Sequence, residues 1–317
     1  MKLSATKQLL DLYKEQSALE DYQSGVPRWC TGCGDNAILT AVQRLCRDEG
    51  LRPEKTVFVS GIGCSSRFPH YMKTYGFHGI HGRAFPVAEG VKMSRPDLTV
   101  FVNTGDGDCC SIGAAHWIHA LRYNMNMTVF LHDNQIYGLT KKQASPTSPI
   151  GTRSNTTPRG SYLDALNPLT VSLGVSNVSF IAQAVDWIPE TLFDIVKAAY
   201  HHKGFSFVRI IQRCPEWLPK SLDPWLQDPE RVQLLHHANG LQISQGISRV
   251  YKNQVEHDPM DIHRAREIAS NSDTIPVGIL YRNPEVPCYE DTRHSGALRT
   301  VEAIKKNFNA ELDKFSV

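Results

Sequence analysis

The sequence predicts an α/β chain built on a doubly wound, mostly parallel sheet. Two observations predict it. Short apolar runs of strand length alternate with helical periodicity. Two of those runs end directly in glycine-bearing turns, Gly61-Ile62-Gly63-Cys64 and Gly105-Asp106-Gly107-Asp108, as strands do where an open sheet binds a ligand.

Taken in order, residues 1–24 read as a polar, amphipathic helical lead-in. The loop Trp29-Cys30-Thr31-Gly32-Cys33-Gly34 follows, with Asp35 as N-cap of a helix whose apolar stripe is Ile38, Leu39, Val42, Leu45 and Cys46. Residues 56–60 form a buried strand, followed by a glycine-rich loop carrying His78, His81 and Arg83. Residues 88–93 are helical, 98–102 form a second strand, 109–123 a helix and 127–132 a third strand. The Ser-, Thr-, Pro- and Gly-rich stretch 144–160 is a long loop of the kind that carries function. A helix near 162–173, a strand near 178–182, a helix near 189–201 and a strand at 205–211 complete the alternation. After Pro215 the pattern weakens. Residues 1–224 are therefore expected to be one domain, and 225–317 a C-terminal arm with one strand, 275–281, packing on the core or on a partner chain.

With 317 residues the chain can bury a full core, and its 41% hydrophobic and 21% charged composition is ordinary for a soluble globular protein. Lys+Arg number 34 against Asp+Glu 32, so no electrostatic case exists for nucleic acid or a membrane surface. No apolar stretch reaches membrane-spanning length and the first residues are too charged for a signal peptide, which predicts a reducing cytoplasm. Eight cysteines (30, 33, 46, 64, 109, 110, 214, 288) in such a compartment point to metal ligation for some and plain burial for others, not to disulfides.

Two motifs carry chemistry. Cys30 and Cys33, three positions apart between glycines, suit a zinc ion, a redox dithiol or part of an iron–sulfur cluster. Gly105-Asp106-Gly107-Asp108 is followed by Asn134, each at the end of a strand. Asp106 offers an anionic oxygen, Asn134 a neutral one and the Ile136 carbonyl a third, a donor set for Mg²⁺ carrying a diphosphate. The helix beginning near Cys109 turns its N-terminus toward the same diphosphate. Lys141, seven residues past Asn134, is a cation at the crevice mouth suited to a carboxylate.

The spacing from Gly-Asp-Gly to Asn134 resembles the thiamine diphosphate motif. Trp29-Cys30-Thr31-Gly32-Cys33-Gly34, Gly61-Ile62-Gly63-Cys64-Ser65, His81-Gly82-Arg83-Ala84, Tyr137-Gly138-Leu139-Thr140-Lys141, Gln143-Ala144-Ser145-Pro146-Thr147 and Arg213-Cys214-Pro215 together resemble the beta subunits of 2-oxoacid:ferredoxin oxidoreductases. The likeness covers about residues 20–290, Gly278 to Asn283 included. Lys142 departs from it, since that family usually has glycine there.

The resemblance implies a diphosphate-module fold and an oxidoreductase of 2-oxoacids, 2-oxoglutarate first and pyruvate as the alternative. It implies thiamine diphosphate with Mg²⁺, and a [4Fe–4S] cluster on Cys30, Cys33, Cys64 and Cys214. Zinc is the alternative for four thiolates, a non-redox carboligase or decarboxylase the alternative activity, and an electron-transfer or zinc-binding subunit the non-enzymatic one. His81 is expected at the cofactor, and Arg83 at the diphosphate or the substrate carboxylate. Gly63, Cys64, Ser65, Gly105, Asp106, Gly107, Asp108, Asn134, Ile136, Gly138 and Leu139 are expected to line the cofactor site. Coenzyme A and ferredoxin are the expected co-substrates. An alpha, or fused gamma-alpha, chain is expected to supply the pyrimidine module that this chain lacks.

Overall fold

Strands built around unbroken apolar runs can only be stable when both faces are covered. Strands β1 (Thr56–Ser60), β3 (Thr99–Gly105) and β4 (Met127–Asp133) are of this kind and are buried along almost all their length. In the computed structural model, which describes residues 18–293, 305–306, 308–310 and 313–314, they sit side by side in a nine-stranded sheet. The edge strand β2 (Tyr75–His78) lies beyond β1, while β8 (Phe205–Ile211) and β7 (Phe180–Val185) follow β4. These six strands are all parallel. Strand β11 (Ile275–Arg282) then pairs antiparallel with β7, and β9 (Val232–His236) and β10 (Gln254–Glu256) extend the sheet past it. A separate antiparallel ribbon, β5 (Ile136–Tyr137) with β6 (Gln143–Ala144), follows the end of β4.

The period of two along each strand sorts side chains into two cores. Phe58, Phe101 and Phe130 point to one face and stack, with ring centroids 4.8 and 5.9 Å apart. They pack there under helices α1 (Asp35–Asp48) and α5 (Pro189–His201). Val57, Val59, Val100, Val102, Val129 and Leu131 point to the other face. That face is covered by α2 (Ala84–Ser94), α3 (Ala114–Tyr123), α4 (Pro168–Leu173) and α7 (Ile262–Ser270), the short α6 (Gln245–Val250) lying between α5 and α7 in sequence. From β1 the chain goes outward to β2, whereas β3 adds on the opposite side of β1. The carboxyl ends of β1 and β3 therefore flank a topological switch point, where open sheets leave a crevice.

Several expectations need correction. Asp35 is the first residue of α1, not its cap; Gly34 holds that place, and the Asp35 side chain is fully buried. The helix expected at 109–123 starts as a π-turn, Asp108–Ile112, closed by Gly113 N–H donating to the Asp108 carbonyl, before α3. The helix expected near 162–173 begins only at Pro168, because Asn167 caps it by accepting from Leu169 N–H at 3.0 Å. Residues 225–282 supply three strands to the main sheet where one was expected. Strand β2 was expected as loop. The lead-in at 1–17 lies outside the described residues. Among those described, no helix is long and apolar enough to cross a membrane.

Candidate active site

Asp108 organises the cleft at the strand ends. Its Oδ1 accepts from Gly82 N–H at 2.7 Å, His81 Nδ1 at 2.8 Å and Ile62 N–H at 3.2 Å, and its Oδ2 accepts from Thr104 Oγ1 at 2.8 Å. One buried carboxylate thus ties the turn after β1 and the His81 loop to the end of β3. With Nδ1 engaged, His81 has Nε2 left for a ligand in the cleft that it lines.

Asp106 sits two residues earlier in the same turn and is held differently. It is buried, and its Oδ2 accepts from the hydroxyls of Ser145 and Thr147, the latter at 2.7 Å. Burial, with Asp133 beside it, pushes its carboxyl up to about 7. The nearby cation, Arg209, is spent on Asp133 at 2.6 Å, so among the described residues Asp106 has no cationic partner. A buried carboxylate in that position favours a metal ion. Asn134 follows β4 and its Oδ1 accepts from Ile136 N–H at 3.1 Å, which folds the Ile136 peptide back over the strand end. Tyr137 closes the other wall, donating from its hydroxyl to the Gly107 carbonyl at 3.0 Å. A Cβ on Gly107 would lie 2.1 Å from that ring, so only glycine fits there.

Twelve of the residues expected at the cofactor line this one cleft of about 660 Å³: Gly63, Cys64, Ser65, His81, Gly105, Asp106, Gly107, Asp108, Asn134, Ile136, Gly138 and Leu139. Arg83 does not. Its Nη1 donates to the carbonyls of Gly82 and Ile112, at 3.0 and 3.3 Å, which spends it on joining the His81 loop to the π-turn. Lys141 is exposed just past the rim residue Thr140, in a left-handed turn with φ +69°.

Cys30 and Cys33 from one turn, Cys64 and Cys214 come together from three segments of the chain. Cys64 is near enough to Cys33, Cys30 and Cys214 for each to disfavour another's negative charge, and Cys30 acts on Cys214 in the same way. Burial pushes the Cys64 thiol up to about 12, with the Asp35 carboxylate adding to it, and burial raises Cys33 and Cys214 as well. Thiolates in this place therefore call for a cationic centre. Around Cys214, the backbone N–H groups of Glu216, Trp217 and Leu218 act against burial by favouring its anionic form. Gly34 keeps α1 close to the ends of β7 and β8: a Cβ there would meet Asp186 Oδ2 at 1.8 Å and Gln212 Cγ at 2.6 Å. Among the described residues no three of His, Cys, Asp or Glu converge on a point where a single ion would sit. Cys46, Cys109, Cys110 and Cys288 are buried elsewhere.

Cys64 belongs to both constellations. It lines the cleft, and a Cβ placed on Gly138 would lie 3.5 Å from its Sγ and 3.8 Å from Asn134 Nδ2.

Sequence reasoning missed Asp133, Arg209, Ser145 and Thr147 around Asp106, and Asp35, His132 and Gln212 around the thiols. A signal existed for two of them. Arg209 stands in the middle of the apolar strand Phe205–Ile211, where an unpaired charge is too costly. His132 stands in the fully buried strand Met127–Asp133.

Residues 61–210 match the family model described as thiamine pyrophosphate enzyme, C-terminal TPP binding domain. Residues 247–296 match the model for the C terminal of the pyruvate ferredoxin oxidoreductase beta subunit. The 2-oxoglutarate oxidoreductase subunit KorB of Mycobacterium tuberculosis is 48% identical over 212 residues, 66% of this chain and 57% of that relative's length. A 2-oxoacid:ferredoxin oxidoreductase subunit beta from Sulfolobus is 37% identical over 304 residues, 90% of this chain and 88% of that one. Among solved structures, the 2-oxoglutarate:ferredoxin oxidoreductase from Magnetococcus marinus with 2-oxoglutarate, coenzyme A and succinyl-CoA bound superposes with TM-score 0.77. It has 35% identity and covers 93% of this chain and 96% of that one. With Cys64 joining the cleft to the other three thiols, and with relatives matched over nine-tenths of the length, one assignment follows: the chain belongs to the beta subunits of the 2-oxoacid:ferredoxin oxidoreductases.

Proposed function

We propose that this chain is the diphosphate-holding, cluster-bearing half of a cytoplasmic enzyme that converts 2-oxoglutarate, coenzyme A and oxidised ferredoxin to succinyl-CoA, CO₂ and reduced ferredoxin, reversibly. The observation that carries the reading is the position of Cys64, whose thiol lines the cofactor cleft while its neighbours are Cys30, Cys33 and Cys214. A centre that accepts electrons held against the site that releases them is the arrangement this reaction needs.

The residues present fit both groups. Asp106, Asn134 and the Ile136 carbonyl would hold Mg²⁺, and the lack of any cation on Asp106 is the observation that supports it. The four cysteines would hold a [4Fe–4S] cluster. Their influence on one another without convergence on a single point suits a cubane better than a zinc ion, whose ligands must close to about 2.3 Å. When bound, thiamine diphosphate supplies the carbon nucleophile and the electron sink for decarboxylation, and the cluster takes electrons singly.

The chain's own groups do the positioning. Asp108 holds His81 so that Nε2 faces the ligand, and Tyr137 braces the turn that carries Asp106. Next to the cleft, and sharing Gly63 and Leu139 with it, is a second pocket lined by Arg28, Arg67, His70 and His78 with no carboxylate. Such a pocket suits the distal carboxylate of a dicarboxylic 2-oxoacid, which pyruvate lacks, and Lys141 adds a further cation near the mouth. A partner alpha chain, or a fused gamma-alpha chain, would cover the cleft and bring the pyrimidine module.

The experiment is anaerobic assembly of both chains with iron, sulfide, Mg²⁺ and thiamine diphosphate, followed by coenzyme A-dependent reduction of ferredoxin. Turnover with 2-oxoglutarate well above that with pyruvate is expected, together with a visible absorption that bleaches on adding substrate. Full activity in a preparation free of iron, or preference for pyruvate, would sink the assignment.

A further inference from the structure

The sulfur of Cys33 has two polar neighbours that act on it in opposite senses. On one side the Gln212 Nε2 donates to Cys33 Sγ at 3.2 Å. The same amide nitrogen lies 3.4 Å from the Arg213 carbonyl, which fixes the amide so that NH₂ and not oxygen faces the thiol. Gln212 is buried and its Oε1 has no hydrogen-bond partner, so the side chain gives up a buried acceptor to keep its donor on the sulfur. On the other side the Asp35 carboxylate lies 3.5 Å from the same sulfur.

Asp35 is not loosely placed. It is fully buried at the start of α1, and its other oxygen accepts from His132 Nδ1 at 2.7 Å. Asn103 Nδ2 lies 3.0 Å from His132 Nε2, on the far side of the ring. Phe68 packs edge-on against the imidazole, with ring centroids 5.8 Å apart, and excludes water from that side. Other charges in this neighbourhood are Arg67, which acts on Cys64, and Arg213, which pairs with Asp186 at 2.9 Å.

An iron–sulfur cluster gains an electron on reduction. A fixed negative charge at a ligand sulfur disfavours that gain, and an N–H donated to the sulfur favours it. Resting on the cluster assignment above, we propose that Asp35 and Gln212 are a pair of opposed positioning residues that set the reduction potential of the cluster through Cys33, Asp35 lowering it and Gln212 raising it. His132, which holds Asp35, lines the cofactor cleft, so the group that depresses the potential is anchored in the wall of the site that supplies the electrons.

The test is a redox titration of the anaerobically assembled holoenzyme, followed by electron paramagnetic resonance, with iron content measured on each sample. Asp35→Asn is expected to move the midpoint potential to more positive values and Gln212→Leu to more negative ones, each with full iron. An unchanged potential in either iron-replete variant, or shifts of the same sign, would overturn the proposal. Should Asp35→Asn fail to retain iron, Asp35→Ser carries the same expectation. Iron loss from both would show that the carboxylate builds the site and does not tune it, which also overturns the proposal. A wild-type preparation that binds no cluster at all would instead remove the cluster assignment beneath it.

Discussion

Two regions of one turn divide the labour of the cleft. At Asp108 every oxygen is taken by the protein's own donors, two backbone N–H groups, an imidazole and a hydroxyl. At Asp106, two residues away, hydroxyls touch one oxygen and the compensating cation is missing. Both carboxylates are buried. The difference shows that burial alone does not mark a ligand. We read a charge that the fold leaves without an opposite as the mark of a proposed ligand, and a charge that the fold has satisfied as scaffolding.

The contrast can be tested from both sides. Asp108→Ala strands four donors at once and is expected to cost about 3–5 kcal/mol of unfolding free energy, read by chemical denaturation, whether or not cofactor is present. Asp106→Asn should instead leave the cofactor-free fold at least as stable as the parent, since it removes the cost of burying that carboxylate and its repulsion from Asp133. Its loss should appear in Mg²⁺–thiamine diphosphate affinity, on the order of a hundredfold or about 2.7 kcal/mol by calorimetry. An Asp106→Asn protein as unstable as Asp108→Ala would erase the distinction.

A third measurement locates the acid limit of the fold away from both carboxylates. His202 is buried, with Nε2 2.9 Å from Ser179 Oγ, and burial depresses its pKa to about 4, with Arg282 adding to the effect. A histidine whose folded pKa lies below its unfolded value of about 6.5 contributes stability above 6.5 that is lost as pH falls toward 4. His202 should therefore take about 2–3 kcal/mol from stability over that window, while Asp106, whose carboxyl is raised by burial and by Asp133, acts in the opposite sense. The drop is read in Asp106→Asn, which removes the opposing group, and should vanish when His202→Gln is added. Thr147→Val comes next in size. Its hydroxyl lies between Asp106 and Asp133, at 2.7 and 2.8 Å, and losing it should cost about 1–2 kcal/mol while weakening the cofactor less than Asp106→Asn does.

The smallest effect belongs to Lys142. Its φ of +72° is a conformation that glycine adopts without strain and lysine does not. Lys142→Gly should raise the melting temperature slightly or leave it unchanged, by less than about 1 kcal/mol. A large loss of 2-oxoglutarate turnover in that variant would give the lysine a role at the substrate.

What can be read in the sequence is local. Val57, Phe58 and Val59 are apolar in succession because both faces of that strand are covered, and Phe205–Ile211 and Pro189–His201 have the lengths their patterns indicate. Strand β2 leaves no such trace because all four of its residues are exposed, so no burial pattern is written into it. Asp35 reads as a cap because its partner, His132, is 97 residues away, and no local pattern reports such a pairing. Arg83 looks like a ligand cation for the same reason: the Ile112 carbonyl that occupies it belongs to another loop. The cleft's glycines and Asp106 are legible because their roles depend on the turn they occupy. The hydroxyls that hold Asp106 are not, because the loop of residues 145–148 reaches it only after the sheet has formed.

The antiparallel seam between β7 and β11 has a consequence for how the chain comes off the ribosome. Gln183 finds its partner in Gly278, about 95 residues later, so β7 waits with an open hydrogen-bonding edge while that length is made. Its residues are mostly apolar and carry no charge from Phe180 to Val185, the composition that pairs readily with a neighbour's strand. Truncation before residue 275 would make that waiting state permanent. High-level expression of such fragments should consequently end in inclusion bodies, even though the cleft and all four cysteines precede the cut.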